Sequence, residues 1–167
     1  AYMRYAITEK KQSIWIAQRN GRTKNGNDKT EMAVLKMFAL SSTKFFVPNL
    51  MELNITPMVI SYEYEPCDFL KTAEMYVSNY QKYVKEPNED LNSIIQGVKQ
   101  WKGNIHLAIC EPITKSELDS CDALNKNEKF QLLTQIIDKR IHDNYTLFKT
   151  NYIAYDLLTQ TKTYAEY

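Results

Sequence analysis

The sequence predicts an α/β fold, with a mostly parallel central sheet flanked by helices. Three observations predict it. Short apolar runs at residues 13–17, 55–62 and 104–110 read as buried strands. Stretches with helical spacing lie between them, and strands alternating with helices favour a parallel sheet covered on its faces. Three strands are few for so many helices, so the sheet is expected to be incomplete, with further strands upstream of Ala1. No repeat, low-complexity tract or linker divides the chain, and residues 1–167 read as one domain.

Residues 1–11 carry Met3, Ala6 and Ile7 on one helical face. Nothing caps this helix at Ala1, which suggests a piece of a longer protein. The first strand follows, apolar on both faces through Ile14, Trp15 and Ile16. The chain then turns into a loop at residues 19–29, where Arg19, Arg22, Lys24 and Lys29 face only Asp28 in opposite charge. Asp28 and Glu31 have the spacing of a capping box for a helix over residues 30–42, with Val34, Leu35, Phe38 and Met37 inward. Leu50, Met51 and Leu53 suggest a short helix after Pro48.

The second strand, residues 55–62, carries Pro57 early in it, a position that suits a strand start or edge. Pro66 to Asp68 end it and open a helix over residues 68–84. A further helix spans about residues 89–101, with Gly103 placed to terminate it. The third strand ends at Pro112. Phe130, Leu133, Ile137 and Ile141 form one stripe of a long helix over residues 128–147. A last helix is expected over residues 152–163.

The net charge of +1 argues against a general nucleic-acid binder. The three cysteines, Cys67, Cys110 and Cys121, match no metal knuckle and read as reduced thiols of a cytosolic protein. No apolar run is long enough to cross a bilayer. Glycine is scarce, at 4 residues, so Gly21 and Gly26 within one loop stand out.

A strand, a basic glycine loop and a helix start make an anion site in open α/β sheets. Arg22 has the fork that grips phosphate through two charge-assisted hydrogen bonds. Arg19 and Lys24 add attraction, and Gly21 permits close backbone approach. A solvated surface loop is the other reading of the same residues. His106, in a strand, and His142, in a helix, have no serine or cysteine partner in sequence, and both read as structural. Glu63, Glu65 and Asp68 read as a solvated turn with a helix cap.

Two stretches together go beyond generic chemistry. Asn20-Gly21-Arg22-Thr23-Lys24-Asn25-Gly26 resembles the third sequence block of the glycerol-phosphate and lysophospholipid acyltransferase superfamily, a Glu-Gly pair followed by Arg and Ser or Thr. Ile55-Thr56-Pro57-Met58-Val59-Ile60 resembles the fourth, of the form Ile-x-Pro-Val-x-Ile. The longer run of residues 55–68 is similar to a bacterial glycerol acyltransferase branch. The matched blocks cover roughly the first 70 residues, in the family's order and spacing.

The resemblance implies transfer of an acyl group from acyl-CoA or acyl-carrier protein to a glycerol-phosphate or lysophospholipid hydroxyl. In the family, a His-x-x-x-x-Asp block supplies the general base and its orienting carboxylate. That block is absent from this sequence and is expected upstream, so no catalytic residue is assigned here and the isolated chain is expected to be nearly inactive. By the same match, Arg19, Asn20, Gly21, Arg22 and Lys24 would bind the phosphorylated acceptor. No metal and no cofactor beyond the thioester donor are implied. A cytoplasmic protein in peripheral contact with the inner membrane face is expected, without nucleic acid. Asn20 departs from the family's glutamate: it loses the charge and half of the acceptor capacity. That departure favours the alternative of a non-catalytic phospholipid- or acyl-CoA-binding relative. An unrelated α/β phosphate-binding domain is a further alternative, although no Gly-x-x-x-x-Gly-Lys loop is present.

Overall fold

The computed structural model describes residues 2–19, 23, 24 and 26–166. In chain order the elements are α1 (Tyr2–Thr8), α2 (Met32–Ala39), α3 (Phe46–Met51), β1 (Met58–Tyr62), α4 (Asp68–Ser78), α5 (Glu89–Lys99), β2 (Ile105–Ile109), α6 (Lys115–Asp122), α7 (Glu128–Asp143) and α8 (Lys149–Thr159). Helices make up 48% of the described residues, and these residues form a single antiparallel two-stranded sheet. The predicted mostly parallel central sheet is therefore corrected.

Two physical reasons underlie the correction. Residues 13–17 take no regular secondary structure and find no ladder partner among the described residues, and Trp15 remains 76% exposed. Between β1 and β2 the chain makes two helices, which return it to the end it left. Glu63 N–H donates to Asn104 O at 2.9 Å, and Tyr64 N–H donates to Lys102 O at 3.0 Å. Cys110 N–H donates to Pro57 O at 3.0 Å at the far end. This register is antiparallel.

Gly103 has a different role from the one expected. α5 ends at Lys99, with Gln100 as its C-cap. Gly103 instead sits at φ +65° beside the sheet, where a Cβ would lie 2.6 Å from Glu63 Oε2. Only glycine meets both demands.

Contacts gather the chain into two compact units, Ala1–Val59 with Ala108–Asn144, and Ile60–Leu107 with Tyr145–Tyr167. The first contains α1, α2, α3, α6 and α7 around one core. Leu35, Phe38, Leu50, Val59, Leu118 and Leu133 are among its buried side chains. The stripe read from sequence on α7, Phe130, Leu133, Ile137 and Ile141, is buried in full. Met3 and Ile7 pack α1 against this core. Pro48 falls in the first turn of α3, where a missing N–H costs nothing.

The second unit contains α4, α5 and α8. Its helices bury little: Ser93 is the buried residue of α5, and α4 and α8 have none. Thr146 N–H donates to Ser61 Oγ at 3.1 Å, and Thr150 Oγ1 donates to Glu63 O at 3.0 Å. These bonds tie the chain before and within α8 to β1 and the residue after it.

Candidate functional site: the basic loop between Gln18 and Glu31

The loop is closed at its neck. Glu31 N–H donates to Gln18 O at 2.9 Å, so the chain leaves and returns at one place. Arg19, Thr23 and Lys24 are half-buried within it. Gly26 takes φ +75°, with open space where a Cβ would stand, and Asp28 N–H donates back to its carbonyl at 3.0 Å. Asn20, Gly21 and Arg22 lie outside the described residues, so three of the five acceptor-binding residues expected from sequence, Arg22 with its phosphate-holding role among them, have no described geometry.

The expected capping box is absent. α2 begins at Met32 with Glu31 as its N-cap and no side-chain cap bond. A carboxylate from the other end of the sequence serves this region instead. Asp138 of α7 accepts the Thr30 N–H at 2.8 Å, across 108 positions. The Thr30 hydroxyl itself is buried without a hydrogen-bond partner, the one such side-chain atom among the described residues.

The remaining sequence candidates are engaged in structure. Glu63 Oε2 accepts the Asn104 N–H at 2.9 Å and its side-chain amide at 2.8 Å. Glu65 pairs with Lys71 at 3.0 Å and accepts the Cys67 N–H at 3.1 Å. Asp68 Oδ1 accepts the Phe69 N–H. Among the described residues no group of three or more His, Cys, Asp or Glu side chains is arranged to hold a metal. All three cysteines are buried thiols that form no disulfide. Burial pushes the Cys110 and Cys121 thiols up. His106 is half-buried in β2, and His142 is exposed in the last turn of α7.

A cleft of about 470 Å³ opens beside α7, lined in part by Ile109, Glu111, Glu117, Lys139 and Arg140. No residue of the basic loop lines it. Both of its basic groups are paired, Lys139 with Asp143 at 2.5 Å and Arg140 with Glu117. Arg140 also donates to Glu111 O and Pro112 O, both at 3.0 Å. This guanidinium clamps the chain between β2 and α6.

Sequence reasoning missed three features. α6 went unread although Thr114 and Glu117 carry capping-box spacing, and the structure forms that box. Arg4 of α1 reaches Glu52 at 2.7 Å, Ser41 at 3.0 Å and the buried Asn49, a convergence that sequence spacing does not signal. Asp138 lies outside the apolar stripe of α7, and no local spacing signals its bond to Thr30. Among the described residues no helix is long and apolar enough to cross a membrane. Comparison with family models, curated proteins and solved structures finds no match.

Proposed function

We propose that this chain is the acceptor-binding part of an acyltransferase, which transfers an acyl group from acyl-CoA or acyl-carrier protein to a hydroxyl of glycerol-phosphate or a lysophospholipid. The observation that carries this reading is the pair of sequence blocks, the basic glycine loop at residues 19–26 followed by Ile55-Thr56-Pro57. The closed neck at Gln18 and Glu31 suits the role, because ends held together reduce the ordering that anion binding must impose. Arg22 holds the acceptor phosphate, with Arg19 and Lys24 adding field and Asn20 offering its amide. The general base and its carboxylate come from a His-x-x-x-x-Asp block elsewhere in the complete protein. The acceptor hydroxyl loses its proton to that histidine as its oxygen attacks the thioester carbonyl, and the thiol leaves. Work at the face of a membrane follows from a lipid acceptor or product.

Asn20 favours a second reading, a non-catalytic binder of phospholipid or acyl-CoA. Turnover of the full-length gene product separates the two. Acyl-CoA consumption dependent on glycerol 3-phosphate or lysophosphatidate supports the enzyme, with Arg22→Ala raising the acceptor KM by about tenfold or more. Binding of the same ligands without turnover would leave the binder, and Asn20→Glu is then the first reversion to assay.

A further inference from the structure

We infer that Asp138 is a positioning residue for the acceptor loop, holding its downstream limb, Gly26 to Thr30, against the core helix α7. The inference rests on the acceptor reading of that loop. Asp138 follows the buried Ile137 and precedes, by one turn, the buried Ile141, so its backbone is fixed by the core. Its carboxylate is half-buried, yet its neighbours on α7 are engaged elsewhere: Lys139 with Asp143, and Arg140 with Glu117. The Thr30 N–H donates to it at 2.8 Å. A carboxylate accepting a backbone N–H is among the stronger hydrogen bonds, and a partly buried charge left without it is costly.

The placement is specific. Thr30 is the last loop residue before Glu31, whose own N–H closes the neck on Gln18 O. The neck bond fixes where the loop leaves and returns, and the Asp138 bond fixes which way its returning limb runs. An anion gripped from this loop therefore depends on α7 for its aim. The plainer role, a carboxylate that only steadies the start of α2, makes different predictions.

The loop carries tryptic sites at Arg19, Arg22, Lys24 and Lys29, which provide a readout independent of activity. Limited trypsin digestion of the 167-residue chain, mapped by mass spectrometry, should show cleavage at these sites about tenfold faster in Asp138→Ala, with cleavage elsewhere unchanged. Asp138→Asn keeps one acceptor oxygen and should restore near wild-type rates. In the full-length product, Asp138→Ala should raise the acceptor KM several-fold without moving the donor KM, and Asp138→Asn should restore it. Unchanged loop cleavage overturns the inference, as does faster cleavage at every site together, which would mark a merely structural role. If Arg22→Ala raises the acceptor KM and Asp138→Ala does not, the inference fails while the acyltransferase reading stands. If Asp138→Ala frees the loop and neither variant moves the acceptor KM, it is the acceptor reading that falls, and the positioning role falls with it. Should Asp138→Ala fail to fold, exchange of the Thr30 amide in the wild type decides: a protected amide supports the bond, and an unprotected one refutes it.

Discussion

Glu117 shows what one side chain does in this fold. It accepts from the Thr114 N–H at 2.7 Å and from the Thr114 hydroxyl at 2.9 Å, and it pairs with Arg140. Burial pushes its carboxyl up, but the hydrogen bonds from Thr114 and the Arg140 guanidinium outweigh it, and the group sits below the usual carboxylate value. Its charged form thus stabilises the fold above the unfolded-state value, and that contribution is lost as pH falls through the lowered folded value. Thermal unfolding followed from pH 7 down to pH 3 should show Glu117→Gln less stable at neutral pH. A cap of this kind contributes about 0.5–2 kcal/mol. The difference from wild type should shrink on acidification. A constant difference across that range would mean that the carboxylate charge has no part in it.

At the scale of elements, the β1–β2 ribbon depends on one residue that carries no side chain. Gly103 needs a positive φ and leaves no room toward Glu63 and Tyr64. Gly103→Ala should destabilise the chain by about 1–3 kcal/mol, measured as a fall in the urea midpoint. Its sequence signal, a glycine after a helical stretch, pointed to a helix stop, because close approach between distant segments leaves no local mark. The helices were more legible. The α7 stripe announced its buried face, and the apolar spacing of α2 placed Leu35 and Phe38 inward, as found. The run at residues 13–17 misled for a physical reason. Ile14, Trp15 and Ile16 have strand composition, but a strand exists only when paired, and pairing is a property of the fold. α6 was written in Thr114 and Glu117 and passed over, because its apolar content is low beside its polar face.

The whole molecule divides its stability unevenly. The unit containing α7 buries a continuous cluster from Leu35 to Ile141, whereas α4 and α8 bury no residue. Local opening follows burial, so amide exchange should be slowest in α7 and faster by orders of magnitude in α4 and α8. Equal protection across these helices would contradict this division. The basic loop leaves and returns on the well-packed unit, with its neck at Gln18 and Glu31 and its anchor at Asp138. Of the candidate site, the sequence showed the charges and glycines but not the anchor, since no local pattern links positions 30 and 138.

The central claim is that residues 19–30 grip the phosphate of a glycerol-like acceptor, and amide NMR of the chain titrated with glycerol 3-phosphate tests it most directly. The account predicts saturable shifts confined to residues 19–30, absent with glycerol alone and lost in Arg22→Ala. Shifts that do not saturate, or that persist unchanged in Arg22→Ala, would contradict it.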